Sequence, residues 1–82
     1  MSNYKFSAHA HSMLNERNIA EKWVTMTIEN PDRQERKEDG TEHYIKVIED
    51  YGNRYLRVIV NPGFDPVKII TVFFDRRLGR KI

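Results

Sequence analysis

The spacing of the apolar residues changes once along this chain, near Asp32, from a repeat of three or four to a repeat of two. The first repeat places apolar side chains on one face of a helix, and the second places them on one face of a strand. The chain has 82 residues and no cysteine, so one hydrophobic core without disulfides must hold both parts together. We therefore expect a single domain over residues 1–82, with helices first and a sheet after them.

Two short helices are predicted before the change of spacing. The first begins after Ser7, a good N-cap residue, and ends near Asn18, which tolerates the left-handed conformation that closes many helices. The second runs from about Ala20 to Glu29 and is ended by Asn30-Pro31. Ala20 is a poor cap, so this helix depends on packing.

Strands and tight turns fill the rest of the chain. Residues 33–38 are so polar that they form an edge strand or a loop, and Asp39-Gly40 is a hairpin turn signal. Because short turns join the later segments, their pairing is antiparallel. The sequence predicts an α+β fold with two N-terminal helices packed on one face of an antiparallel sheet of three to four strands, the clearest being Thr41–Glu49, Arg54–Asn61 and Val67–Asp75.

Alternation within each strand assigns side chains to the two faces of the sheet. The face under the helices is expected to carry Leu56, Val58, Val60, Ile70, Val72 and Phe74, joined by Ile45 and Val47. The other face is expected to carry Tyr44, Lys46, Ile48, Tyr55, Arg57, Ile59, Ile69, Thr71 and Phe73. This second face mixes aromatic rings, cations and a hydroxyl, which makes it the candidate functional surface.

Charge is unevenly distributed along the chain. Residues 1–53 contain seven Lys/Arg and ten Asp/Glu, a net charge of −3, whereas residues 54–82 contain seven Lys/Arg and two Asp/Glu, a net charge of +5. Such segregation attracts a phosphate backbone or an acidic protein, although a solvated surface gives the same pattern. No apolar run approaches a membrane span and no signal peptide is evident, so a cytoplasmic, soluble protein without membrane contact is expected.

Ordered motifs along the chain resemble a bacterial family. They are His9-Ala10, Met13-Leu14, Glu16-Arg17-Asn18-Ile19, Asn30-Pro31-Asp32, Asp39-Gly40, Leu56-Arg57-Val58-Ile59-Val60 and Ile70-Thr71-Val72-Phe73. From about Tyr4 to Asp75 the chain resembles the family catalogued as domain of unknown function 4258, with Met13 replacing an arginine and Asn18 a glycine of its usual pattern. That family is in turn similar to the RelE/ParE toxins, small two-helix-plus-sheet proteins that are mostly ribonucleases.

The resemblance implies RNA cleavage, in which the 2′-hydroxyl attacks the adjacent phosphorus and protein groups move protons and stabilise charge. Arg57 is the first candidate catalytic residue, because a guanidinium amid apolar neighbours needs a ligand or a carboxylate partner such as Glu49 or Asp75. Lys46 and Tyr55 are candidates beside it, with solvent exposure as the alternative. His9 has a suitable pKa range, or it simply packs on its helix.

Candidate nucleic-acid-binding residues are Arg76, Arg77, Arg80 and Lys81, with Arg17 as a further cation that otherwise anchors its helix. A solvated tail is the alternative reading of the C-terminal cations. No metal site is predicted, because His9 and His11 point apart on a helix, and isolated glycines predict no nucleotide cofactor.

The expected function is a toxin-like, metal-independent RNA endonuclease of a type II toxin–antitoxin system. Its expected partners are an antitoxin protein and RNA or the ribosome, and no oligomeric state is predicted. The main alternative is a non-catalytic protein-interaction domain with the same fold. Nucleic-acid binding without cleavage, and ParE-like action on a topoisomerase, also stay open.

Overall fold

The computed structural model describes residues 4–79, which form two helices, five strands and two short 3₁₀ turns. Their order is β1 (Tyr4–Phe6), α1 (Ala8–Glu16), α2 (Glu21–Glu29), β2 (Arg33–Arg36), β3 (Glu42–Ile48), a first 3₁₀ turn (Glu49–Tyr51), β4 (Arg54–Asn61), β5 (Val67–Phe74) and a second 3₁₀ turn (Arg76–Leu78). The α+β class is confirmed.

The helix ends lie close to the predicted residues. The hydroxyl of Ser7 accepts a hydrogen bond from the backbone N–H of Ala10 and donates one to the carbonyl of Ile70, so one side chain caps α1 and ties it to β5. Asn18 closes α1 in the left-handed region, at a φ of 52°. Ala20 offers no side-chain cap to α2, as expected.

The sheet has five strands in the order β1-β5-β4-β3-β2, so the expectation of three to four strands is wrong. The additional strand is β1, which pairs parallel to β5, and the sheet is therefore mixed rather than wholly antiparallel. This strand ends at Phe6, directly before Ser7, the N-cap of α1. The polar segment after Pro31 is a true edge strand, β2, paired antiparallel with β3.

The register of β3 differs from the predicted one by one residue. Lys46 pairs with Leu56 and Ile45 pairs with Arg57, so these pairs lie on opposite faces of the sheet. Ile45 and Val47 therefore do not join the face under the helices, and Tyr44, Lys46 and Ile48 do not lie beside Arg57. Apolar residues occupy both alternating sets of this strand, so alternation alone could not fix which set faces the helices.

The core lies between the helices and one face of the sheet, which we call the helix face. Fully buried Val24 and Ala10 from the helices pack there against Leu56, Val58 and Val72. A register shift next to Val60 also turns Ile69 into this core, contrary to the prediction. Within residues 4–79, no helix is long and apolar enough to cross a membrane.

The opposite side of the sheet, which we call the open face, is not covered by the helices. Strand pairing sets its members, which are Arg33, Glu35, His43, Ile45, Val47, Tyr55, Arg57, Ile59, Thr71 and Phe73. Ile45 is nevertheless only 1% exposed. Leu78 of the second 3₁₀ turn lines a small pocket together with Ile45 and Tyr55, so the end of the described chain covers part of this face.

Candidate functional site

A buried ion pair joins Arg57, in the middle of β4, to Asp75, directly after β5. The guanidinium Nε donates to Oδ2 of Asp75 at 2.8 Å, and the two residues are only 5% and 4% exposed. Asp75 also accepts hydrogen bonds from the backbone N–H and the side chain of Arg77. The carboxylate pairing that the sequence left open for Arg57 is thus present, with Asp75 as the partner.

The other end of the Arg57 guanidinium reaches two residues of the β2–β3 hairpin. Nη1 lies 3.3 Å from Oε1 of Glu35 and 2.9 Å from Nδ1 of His43. Glu35 and His43 are direct partners in the hairpin, so both face Arg57 across the open face. We call Glu35, His43, Arg57 and Asp75 the Arg57 cluster.

Cations hold both carboxylates of the Arg57 cluster in the ionised form. Lys37 lies 2.9 Å from Oε1 of Glu35, and its hydrogen bond, followed by that of Arg57, lowers the pKa of Glu35 to about 2. The hydrogen bond from Arg77, followed by that from Arg57, likewise lowers the pKa of Asp75 to about 2. Both groups therefore stay charged down to strongly acidic conditions.

His43 is neutral at pH 7, and its contact with Arg57 defines where its proton lies. Burial, followed by the positive charge of Arg57, lowers the pKa of His43 below its ordinary value of 6.5. A guanidinium can only donate hydrogen bonds, so Nδ1 of His43 accepts and the ring proton resides on Nε2. The imidazole is thus neutral, and its Nδ1 lone pair accepts the hydrogen bond from Arg57.

Lys46 does not lie beside Arg57, contrary to the prediction, and His9 also lies away from it. Lys46 lies on the helix face, where its ammonium donates to the carbonyl of Asn30 at 3.0 Å. His9 is an exposed residue of α1, and this helix packs on the helix face through Ala10. The β3 register displaces the lysine, and the thickness of the sheet separates the histidine from Arg57.

Tyr55 lies on the open face as predicted, on the same side of β4 as Arg57. Its side chain lines the small pocket with Ile45 and Leu78, and its carbonyl accepts the backbone N–H of Asp75. Tyr55 therefore supports the β4–β5 end of the Arg57 cluster.

The predicted nucleic-acid-binding cations are divided between two places. Arg77 is engaged by Asp75, whereas Arg17 and Arg76 line a groove at the end of the sheet. Arg80 and Lys81 lie outside the described residues. The groove has a volume of about 830 Å³; we call it the arginine groove, and its walls are Arg17, Tyr51, Arg54, Phe74, Asp75, Arg76 and Gly79.

Glu35, Lys37 and His43 are site residues that the sequence reasoning missed. The predicted two-residue turn Asp39-Gly40 would have paired Glu35 with Tyr44, because residues equidistant from a turn face each other across a hairpin. The observed loop is one residue longer and is centred on Asp39, with the N–H of Lys37 donating to the carbonyl of Thr41, and it therefore pairs Glu35 with His43. Their meeting with Arg57 further depended on the β3–β4 register.

No metal-binding group of three or more His, Asp or Glu side chains occurs in the part of the chain that the structure describes. The cluster instead combines a guanidinium, a neutral imidazole, two carboxylates and a nearby ammonium on the sheet face that the helices leave uncovered. These groups can bind an anion and transfer protons.

Fold and site together define a small α+β domain with a charged cluster on its open sheet face. The family model described as domain of unknown function (DUF4258) matches residues 6–74. The chain therefore belongs to this family, as its motifs indicate. No curated protein matches the chain, and no solved structure matches it. The remoter similarity to RelE/ParE toxins has no support in these comparisons.

Proposed function

We propose that this protein is a toxin-like endoribonuclease that cleaves RNA at the Arg57 cluster without a metal ion and is neutralised by an antitoxin protein. The observation that carries the proposal is the meeting of Arg57, Glu35 and His43 on the open face. A guanidinium, a carboxylate and an imidazole supply the charge stabilisation and proton transfer that attack by the RNA 2′-hydroxyl requires.

In the proposed reaction, an oxygen of the scissile phosphate replaces Nδ1 of His43 as the acceptor of the Arg57 Nη1 hydrogen bond. This exchange frees the His43 lone pair, which removes the proton of the 2′-hydroxyl. The 2′-oxygen then bonds to phosphorus while the bond from phosphorus to the 5′-oxygen breaks. The products are a 2′,3′-cyclic phosphate and a 5′-hydroxyl end.

The leaving 5′-oxygen needs a proton from a second group, and we assign this role to Lys37. Its ammonium shares Oε1 of Glu35 with Nη1 of Arg57. Glu35 thereby positions both cations around one point, where they stabilise the charge that grows on the phosphoryl oxygens. Lys37 is 43% exposed, so this side of the cluster is accessible to a polymer.

Purified protein and a fluorescein-labelled RNA of mixed sequence, incubated in EDTA, test this proposal. We expect cleavage by the wild type and a loss of about 100-fold or more in His43→Ala, the low end for removal of an acid–base group. His9→Ala is the matched control, because it removes an exposed histidine from the other side of the sheet. Intact RNA with folded wild type, or equal losses in both variants, would refute the assignment.

A non-catalytic protein-interaction domain is the second candidate function. The observation that favours it is that Arg57 is already neutralised by Asp75 and Glu35, an arrangement that also serves purely structural ends. β2 would provide the contact, because it is an edge strand whose backbone is paired only on the β3 side within residues 4–79. A specific partner in a pull-down, combined with uncut RNA, would favour this function.

A further inference from the structure

Cations and aromatic rings together line the arginine groove. Arg17, Arg54 and Arg76 line it, and none of the three forms a salt bridge with a carboxylate within residues 4–79. The one acidic residue in its wall, Asp75, is neutralised by Arg57 and Arg77. The residues that line the groove therefore carry a net positive charge.

A rigid aromatic platform borders the same groove. The ring of Tyr51 stacks on Phe74, with a centroid distance of 4.6 Å and an interplanar angle of 19°. Trp23 packs against both rings, at 5.6 Å from Tyr51 and 6.1 Å from Phe74. The guanidinium of Arg54 lies over the Tyr51 ring at 5.5 Å.

The hydrophobic core supports this aromatic platform, and part of the platform is open to solvent. Phe74 and Trp23 pack against the hydrophobic core, whereas Tyr51 is 38% exposed. An exposed, pre-ordered aromatic ring beside unpaired arginines is the combination with which proteins bind single-stranded nucleic acid, since bases stack on rings or guanidinium planes and phosphates bind cations.

The groove adjoins the Arg57 cluster through one residue. Asp75 forms part of its wall and also accepts the Nε hydrogen bond of Arg57. An RNA strand bound at the Arg57 cluster can therefore continue into the groove, past the start of β4 and the end of β5. A volume of about 830 Å³ lies within the range of about 300–1,000 Å³ that is common for ligand sites.

We infer that the arginine groove binds single-stranded RNA next to the cleavage point, with Tyr51 and Arg54 stacking an unpaired base and Arg17 and Arg76 binding its phosphates. This inference rests on the proposed function for the position of the cut, but binding in the groove needs no cleavage. Duplex RNA is a poorer ligand because its bases are already stacked on one another.

Fluorescence anisotropy with a labelled 2′-O-methyl octanucleotide tests the inference, because this RNA analogue lacks the attacking hydroxyl and cannot be cut. Tyr51→Ala is expected to weaken binding at least about fivefold, the lower end for loss of one stacked base. Tyr51→Phe retains the ring and should bind like the wild type. The same oligonucleotide in a duplex should be insensitive to Tyr51→Ala.

Salt dependence separates groove contacts from general attraction. For single strands each phosphate contact contributes about 0.7 to the slope of log affinity against log salt, so Arg76→Ala, which removes a cation assigned to a phosphate, should reduce the slope by about that amount. Arg36→Ala is the charge-matched control on the distant edge strand β2 and should leave the slope unchanged. Circular dichroism confirms that each variant is folded.

The outcomes distinguish this inference from the proposed function. No binding by the wild type, or equal losses in Arg76→Ala and Arg36→Ala, overturns the groove as the RNA site even if the wild type cleaves RNA. The expected binding pattern with no cleavage of unmodified RNA upholds the groove and refutes the endoribonuclease proposal alone.

Discussion

Replacing Asp75 by asparagine removes one charge from the buried pair and changes almost nothing in volume. In the wild type, Nε of Arg57 donates to a carboxylate oxygen of Asp75 at 2.8 Å. The asparagine amide has one oxygen that accepts a hydrogen bond, but its NH₂ group is a donor. If the NH₂ group faces Nε of Arg57, two donors meet and the hydrogen bond is lost. The positive charge of Arg57, only 5% exposed, would then depend on Glu35 alone. Breaking one side of such a pair is costly because the remaining charge stays desolvated.

The expected loss in the free energy of unfolding follows from the burial of the ion pair and from Glu35, the carboxylate that still pairs with Arg57. Removing one member of a buried ion pair costs about 3–5 kcal/mol, and Glu35 at 3.3 Å places Asp75→Asn at the low end, about 3 kcal/mol. An 82-residue domain has a total free energy of unfolding of about 4–12 kcal/mol. The melting temperature should therefore fall by roughly 12–24 °C, at about 4–8 °C per kcal/mol.

Urea unfolding followed by circular dichroism measures this cost. Asp50→Asn is the matched control, because Asp50 is exposed and the same change there should stay within about 0.5 kcal/mol. A loss below about 1 kcal/mol in Asp75→Asn would show that Arg57 does not depend on this carboxylate, and the description of the cluster would be wrong.

The pH dependence of stability provides a second readout for the same variant. Folding lowers the pKa of Asp75 from 3.8 to about 2 and that of Glu35 from 4.5 to about 2. The unfolded chain therefore binds more protons in this range, so stability is present above about pH 4.5 and is lost as the pH falls toward 2. In Asp75→Asn the loss should be shallower, because one of the two contributions is absent.

Three further outcomes follow from the structure. Cleavage by the wild type should decrease on acidification with an apparent pKa below 6.5, since protonation of His43 removes the base; a rate that rises toward pH 5 would contradict this role. Lys46→Met should lose about 1 kcal/mol of stability, because its hydrogen bond to Asn30 is removed, yet it should cleave RNA at the wild-type rate. A loss of activity would indicate that Lys46 lies beside Arg57, as the sequence predicted. Induced expression should slow growth, and His43→Ala but not His9→Ala should relieve this; unimpaired growth with the wild type would contradict a toxin.

Local signals predicted the helices well, because each depends on residues close in sequence. Ser7 and Asn18 act at the ends of α1 as their chemistry indicates. β1 was missed because a three-residue strand has too few positions to show alternation, and its pairing with β5 depends on a segment more than 60 residues away.

The candidate site was predictable only in part, because its assembly depends on strand register. Arg57 stood out as a cation among apolar residues, and its pairing with Asp75 followed as one of two alternatives. Lys46 was placed beside it because β3 carries apolar residues in both alternating sets. The true neighbours, Glu35 and His43, come from a polar hairpin whose sequence shows no hydrophobic pattern to fix its face.

Mass spectrometry of RNA fragments produced in EDTA tests the central claim most directly, because the chemistry of the ends reports which oxygen attacked the phosphorus. The wild type is expected to leave 2′,3′-cyclic phosphate and 5′-hydroxyl ends, and His43→Ala to leave the RNA intact. Fragments with 5′-phosphate ends, or no fragments from folded wild-type protein, would contradict catalysis at the Arg57 cluster.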